Sequence, residues 1–504
     1  MFRRIFSTNI NAAANFAGSI WSALLGLIFV PIYLSYIGIE AYGLIGIFNS
    51  ILAFIVLLDF GLSPTLNREL ARLSVQEINA QEMRDLKSTL ERVNWMSAAL
   101  IALLFIVLAP LIARYWIQPK NLAVETVTQA LLIMGINIAI QFTVNFYIGG
   151  LMGLQKQLLL NSINIVCSTL RFVGAFLVLM FYSPTLRAFL LWQVAVLALQ
   201  AVLMAITLQL SLPETERKGR FQKETIRKIG RFAAGMTGIT VVSLILTQTD
   251  KVILSKMLSL ETFGYYSLAV TISTMAISVV INSISHAAYP RFSKFVESGD
   301  DAGLRVFYHN CCQIASVFLF PIIVFLVLYS YDILLLWTRS EQIAWNTYIL
   351  LSLVAIGTGL NGLMWLPYFL QLAHGWTKLI FYVNLVAIVV LIPLMIFGVY
   401  YYGAIGGAIC WVALNASYVL ISAQLMHRKI LRGELFTWYF KDLLLPFIAA
   451  VTFSSAGKLF LLPDAPRIEV AVKLSIIAVA SFLAAALSSN VIRSYLKFGK
   501  GNPA

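Results

Sequence analysis

The sequence predicts an all-α integral membrane protein: fourteen transmembrane helices forming two pseudo-symmetric six-helix lobes and a C-terminal pair. Three observations carry the prediction. The 504 residues are 60% apolar and only 12% charged, with a mean hydropathy of +0.86, whereas soluble domains carry about 25% charged residues. The apolar runs are helix-length, close to the ~20 residues needed to cross a hydrocarbon core of ~30 Å, and do not alternate like the short strands of a barrel. Finally, the chain starts over after its most basic loop. At one constant offset Glu40 matches Glu261, Tyr42 matches Phe263, Gly43 matches Gly264, Trp116 matches Trp337 and Tyr147 matches Tyr368. Matches in one order along two runs of similar hydropathy indicate a duplication, and a duplicated membrane bundle is a transporter architecture.

The expected division is therefore an N-terminal lobe over 1–212, a basic cytoplasmic linker over 213–231, a C-terminal lobe over 232–427, and a loop, helix pair and tail over 428–504. About three-quarters of the 36 Lys and Arg fall in loops on the same side as the N-terminus, which by the positive-inside rule makes both termini cytoplasmic. The net charge of +14 is then a topology signal. It meets anionic lipid headgroups and calls for no nucleic acid. The opening MFRR and Asn-rich NINAAAN lack the compact apolar core and small-residue cleavage site of a signal peptide, so the first helix is expected to stay.

The first span, centred near Leu24, carries Asn11, Asn15, Ser19, Ser22 and Gly26 at helical spacing on one face. Pro31 interrupts its outer end, the turn YIGIEAYG follows, and the second span, near Ala53, closes on LLDFGLSP with Asp59 about a turn inside the membrane. A mixed-charge segment, 69–92, is expected to lie on the membrane surface. The third span, near Leu104, contains Pro110, and the fourth, near Ile138, carries Asn137, Gln141 and Asn145. The fifth, near Thr169, aligns Asn161, Asn164, Ser168 and Arg171. The sixth, near Leu199, runs into the linker PETERKGRFQKETIRKIGR.

In the second half the seventh span, near Val242, carries Thr240, Ser243, Thr247 and Asp250, and the eighth, near Thr274, carries Ser267, Thr271, Thr274 and Ser278. Pro321, Pro367 and Pro393 punctuate the ninth, tenth and eleventh, near Phe320, Ala355 and Val389. The twelfth, near Leu414, begins with the small residues GAIGGAICW, suited to close helix contact. The last two spans, near Ala450 and Ala480, stand outside the repeat.

No enzyme signature is present: no GxxxxGK[ST], no HExxH, no close pairing among His286, His309, His374 and His427. The four cysteines, Cys167, Cys311, Cys312 and Cys410, show neither a disulfide framework nor zinc spacing, and no metal or cofactor is expected. A membrane glycan polymerase would need a large outer loop, and the longest here runs only from about Asp332 to Tyr348. The informative residues are intramembrane charges. Arg171 costs at least ~2.5 kcal/mol at a span centre; it is read as a site for phosphate or diphosphate, or as the partner of a carboxylate. Lys251 is a phosphate contact or an interfacial anchor, and Asp250 an inter-helix ion pair or cap. Asp59, and with it Asp250, is a possible ion-coupling site, or Asp59 is a structural acceptor. Asn11, Asn15, Asn137, Gln141, Asn145, Asn161 and Asn164 either line a wet pathway or bind helices to one another.

The stretches YIGIEAYGLIGIFNSILAFIVLLDFGLSPTLNREL, YIGGLMGLQKQ, TDKVILSKMLSLETFGYY and GAIGGAICW resemble those of polysaccharide-type flippases of the multidrug/oligosaccharidyl-lipid/polysaccharide superfamily. The resemblance spans almost the whole chain and is loosest over the last two spans. It implies two lobes in a V around an alternating-access cavity in the bacterial inner membrane. It also implies a cargo of undecaprenyl-diphosphate-linked oligosaccharide, an O-antigen or exopolysaccharide unit, turned to the periplasmic leaflet, and polysaccharide polymerase and export proteins as partners. Such flippases tend to have a cationic cavity, to which Arg171 and Lys251 would be assigned. O-antigen flippases generally have twelve spans and the related lipid II flippase fourteen, so lipid II stays open as cargo, as does multidrug/cation antiport on the same fold.

Overall fold

The computed structural model describes residues 2–59, 61–74, 80–217, 219–222, 241–460 and 466–498, except for the side chains of 2–17, 19, 20, 55–58, 286 and 495–498. Among the described residues every regular element is helical. The chain forms two compact units, Met1–Gly264 and Tyr265–Ala504.

The first unit contains α1 (Phe2–Leu58), α2 (Leu62–Leu73), α3 (Ala80–Tyr115), α4 (Val124–Gly153), α5 (Gln157–Phe181), α6 (Leu186–Ser211) and α7 (241–257), and it ends within α8 (Leu260–Ser298). The second contains the rest of α8, then α9 (Asp301–Leu328), α10 (Ser330–Thr338), α11 (Glu341–Leu363), α12 (Trp365–Ala373), α13 (Thr377–Ser417), α14 (Ala423–Lys429), α15 (Leu435–Thr437), α16 (Leu445–Lys458), α17 (Arg467–Ser488) and α18 (Asn490–Phe498). Two π-helical segments, Tyr418–Ser422 and Trp438–Leu444, join α13 to α14 and α15 to α16. Several starts follow from side-chain caps that take up an otherwise unmet backbone N–H. Thr185 accepts from Ala188 N at α6, Asp300 from Gly303 N at α9 and Ser340 from Ile343 N at α11.

Among the described residues eleven helices are long and apolar enough to cross a bilayer, where fourteen spans are expected, and the difference lies in three places. The spans near Leu24 and Ala53 share α1, whose 57 residues are two helices joined at Gly38. Those near Val389 and Leu414 share α13, broken in the same way at Gly403. The span near Val242 falls partly outside the described residues. At 1.5 Å per residue α1 would be roughly 85 Å long if straight, far more than one crossing of a ~30 Å core needs.

Gly38 sits at φ 79, ψ 167, a region open essentially to glycine alone. A methyl there would meet no atom within 4 Å. Gly38→Ala is therefore expected to cost about 1–3 kcal/mol through the backbone alone, read as a lower midpoint for thermal unfolding of the purified protein. Unchanged unfolding would contradict this.

The amphipathic α2 buries Leu62, Leu66, Leu70 and Leu73 in a core shared with Phe142, Phe146 and Leu151 of α4 and Met204 and Leu208 of α6. The expected surface segment 69–92 is thus divided: its first residues finish α2 and its later ones begin the long α3. On α2, outside the spans, partial burial pushes the Glu69 carboxyl up. Hydrogen bonds and charge from Arg68 and Arg72 outweigh this and hold it below the usual range.

The beginning of the basic linker is strapped to α3. Asp85 accepts from Arg220 N at 2.6 Å and from Gln222 Nε2 at 3.0 Å. Thr89 Oγ1 accepts from Gln222 N at 3.0 Å, and Arg84 Nε donates to Pro213 O at 2.7 Å. In the second unit the core gathers Phe292, Tyr308, Leu319, Leu370, Met426 and Trp438.

Candidate functional site

The polar stripe of α5 looks like one face in sequence but has two edges. At 100° per residue Asn161 and Ser168 fall about 20° apart, as do Asn164 and Arg171, with the two pairs offset by about 60°. The first edge meets α1. Ser22 Oγ donates to Ser168 Oγ at 3.3 Å, Trp21 Nε1 donates to Thr169 Oγ1 at 2.9 Å, and Tyr33 Oη donates to Phe172 O at 2.7 Å. On the same edge Asn161 Nδ2 donates to Gln157 O at 2.7 Å, and its Oδ1 faces Gly18.

The second edge meets α6. Arg171 Nη2 donates to Gln200 Oε1 at 2.9 Å, and Gln200 Nε2 donates to Asn164 Oδ1 at 2.9 Å. The guanidinium is thus oriented by a chain of neutral amides, with no ion pair to a carboxylate among the described residues and its Nε buried without a hydrogen-bond partner. An oriented cation with a donor left over can take an anionic ligand. Gln200, only 8% exposed, is the member that sequence reasoning missed. Its signal is slight: an amide inside the apolar run LLWQVAVLALQAVL.

The other expected residues do not join this chain through any described hydrogen bond. Lys251 turns back on its own helix, with Nζ at 3.2 Å from Gln248 Oε1 and 3.4 Å from Thr247 O. Its neighbour Asp250 is 5% exposed. On α4, Gln141 Nε2 donates to Asn145 Oδ1 at 2.9 Å, and Asn137 is buried. The side chains of Asn11 and Asn15, and all of Thr240, lie outside the described residues. Asp59 caps α2: its carboxylate accepts from Ser63 N at 3.2 Å and from Ser63 Oγ at 2.8 Å.

A family described as polysaccharide biosynthesis protein matches residues 10–296, more than half of the chain. The protein belongs to that family. This polysaccharide biosynthesis protein is also 22% identical over 378 residues to a candidate O-antigen transporter of Shigella flexneri, covering 74% of the present chain and 87% of the relative. Its fold is that of the lipid II flippase MurJ in an inward-closed conformation, with a TM-score of 0.70, 16% identity, and coverage of 97% of this chain and 99% of that one. An inward-facing multidrug resistance transporter of the MATE family, in the MOP superfamily, matches with a TM-score of 0.64 and 15% identity, over 83% of this chain and 94% of that one. The protein is thus a multi-pass membrane member of the polysaccharide biosynthesis family with a flippase and exporter fold.

Two further features bear on how this family member holds its helices. Glu40 and Glu261, matched at one offset in the sequence, converge on Lys120. Glu40, 6% exposed, accepts from the backbone N of Lys120 at 2.6 Å and of Asn121 at 3.0 Å, while Lys120 Nζ lies 3.2 Å from Glu261. The cap at Asp59 leads to a prediction. If it only caps, Asp59→Asn keeps an acceptor for Ser63 and changes stability by less than about 1 kcal/mol, with transport near wild type. Loss of transport in a normally folded Asp59→Asn protein would instead support ion coupling there.

Proposed function

We propose that this protein is a flippase that moves an undecaprenyl-diphosphate-linked oligosaccharide, an O-antigen or exopolysaccharide repeat unit, from the cytoplasmic to the periplasmic leaflet of the bacterial inner membrane. The observation that carries the reading is Arg171. Within an apolar span of a polysaccharide biosynthesis protein, its guanidinium is aimed by Gln200 and Asn164 and keeps a free donor. The diphosphate is the charged part of a head group that, sugars included, cannot enter lipid unaided, and a guanidinium grips it through paired N–H groups. The polyprenyl tail stays in the bilayer, while Asn and Gln side chains of α4 and α5 offer hydrogen bonds to sugar hydroxyls. Lys251 is the second cation in this reading. Both termini face the cytoplasm, and the unit is handed to a polymerase and export proteins.

Lipid II is the second reading, favoured by the fold match to its flippase, which covers 97% of the chain against 83% for the multidrug transporter. Deleting the gene and extracting polyprenyl-linked intermediates, with their leaflet assigned, separates the readings. A complete repeat unit accumulating on the cytoplasmic face supports the proposal, and accumulating lipid II supports the second reading. Normal intermediates with hypersensitivity to cationic drugs would replace both with antiport.

A further inference from the structure

The second unit holds a titratable cluster that transport by the first-unit cation does not use. It opens on a cavity of about 660 Å³ lined by Asp301, Arg305, His309, Gln313, Glu434 and Asp442 among others. At its centre His309, on the first turns of α9, stands between two carboxylates. Its Nδ1 is hydrogen-bonded to Asp442 Oδ2 at 2.5 Å, while its buried Nε2 approaches Glu434 Oε2 to 3.3 Å without hydrogen-bond geometry. Asp442 is fully buried, and it lies in the π-helical segment Trp438–Leu444 that leads into α16. π-helical turns are rare and concentrate at functional positions.

The geometry depends on one proton. Neutral imidazole carries a single N–H, so it can serve one of these carboxylates and must turn a lone pair toward the other; imidazolium serves both. The carboxylates sit at opposite edges of the ring and cannot converge with it on one metal ion. Consistent with this, no group of three or more His, Cys, Asp or Glu among the described residues is arranged to hold a metal.

The charges around the ring are few. On α9 itself Arg305 lies 3.8 Å from Glu434, and Asp301 faces the same cavity. From α14, His427 donates or accepts at Tyr308 Oη over 3.5 Å, while its Nδ1 is engaged by Ala423 O. From α8, Arg291 lies over the Phe307 ring, and from α18, Arg493 donates to Ser488 O.

The cluster also reaches the last helices. Gln313 Nε2 donates to Asp442 Oδ1 at 3.0 Å, and Gln313 Oε1 accepts from Ser489 Oγ at 3.1 Å and Val491 N at 3.4 Å, at the junction of α17 and α18. We propose that Asp442, His309 and Glu434 form a proton-binding site, and that the bound proton keeps the entrance of the C-terminal helix pair docked on α9. With the proton bound, each carboxylate faces an N–H of the ring; once it leaves, one of them faces a lone pair instead and the segment 434–444 loosens.

Hydrogen–deuterium exchange of the full chain in nanodiscs, corrected for intrinsic base-catalysed exchange, tests this. Between about pH 6 and about pH 8.5, a window set by histidine, the peptide covering 434–444 is expected to lose protection about fivefold or more. His309→Gln removes the pH response, and His427→Gln, which alters the buried imidazole beside Tyr308, leaves it in place. Glu434→Gln moves the midpoint down by about one pH unit, because a nearby carboxylate no longer favours the cation. A flat wild-type profile, or a response that survives in His309→Gln or vanishes in His427→Gln, overturns the proposal. Should His309→Gln not fold, the Glu434→Gln midpoint decides: a downward shift supports the site and an unmoved midpoint overturns it.

Discussion

Arg171→Ala is expected to fold normally and to lose transport about tenfold to a hundredfold. Its removal leaves no buried carboxylate unpaired, because the guanidinium donates to Gln200, itself anchored on Asn164, and not to an acid. It also relieves the cost of keeping a charge in the span, at least ~2.5 kcal/mol. A purely structural arginine would show the opposite, with stability falling first. Charge-assisted hydrogen bonds contribute about 1.5–3 kcal/mol each, and 1.4 kcal/mol is a factor of ten in affinity, which sets the expected range. Arg171→Lys should fall between, since an ammonium keeps the charge and loses the paired geometry. The measurement is flipping of a polyprenyl-diphosphate glycan in proteoliposomes, with the melting midpoint of each variant recorded beside it. Wild-type flipping by Arg171→Ala would remove the diphosphate clamp from the mechanism.

The second large effect is expected at Gly43→Leu. Gly43 and Gly264 are matched at one offset in the sequence, and in the structure they touch. A Cβ at Gly43 would lie 3.1 Å from Gly264 N and press on the Leu260 carbonyl, and one at Gly264 would press on the Ile39 carbonyl. Backbone cannot move aside as a side-chain tip can, so α1 and the start of α8 would have to separate, disturbing the buried Leu44, Leu260 and Phe263. Overpacking a tight core costs about 1–3 kcal/mol and sometimes more, and contact made through small residues is what holds such membrane helices together. Gly43→Leu is therefore expected to unfold at a markedly lower temperature than Gly38→Ala, whose added methyl meets open space. Equal midpoints for the two would mean that the close crossing contributes little.

Much of this fold was legible from composition because a bilayer permits few solutions, so runs of apolar residues become helices almost without further information. The turn expected in YIGIEAYG falls at Gly38, where a residue without Cβ is required. The paired positions were visible as matched letters, but nothing in a string shows that Gly43 and Gly264 meet, or that Glu40 and Glu261 share Lys120. The site was legible in part. Helical spacing placed Asn164 and Arg171 on one side of α5, whereas the choice between α1 and α6 as neighbour depends on helix register. That choice separated them from Asn161 and Ser168 and brought in Gln200. Lys251 illustrates the same limit, since a long cation can return to its own helix as readily as reach a ligand. The cluster at His309 joins residues more than a hundred positions apart, beyond any local pattern.

The strap between α3 and the beginning of the linker bears on where this polypeptide tolerates surgery. A charged stretch between two apolar halves invites a protease site, an affinity tag or a split into two co-expressed pieces immediately after Leu212. Yet Pro213, Arg220 and Gln222 are stitched to Arg84, Asp85 and Thr89, and tolerance to insertion follows hydrogen bonding of the backbone, not sequence character. An amino-terminal piece should therefore run through Gln222, because Pro213, Arg220 and Gln222 belong to its own scaffold.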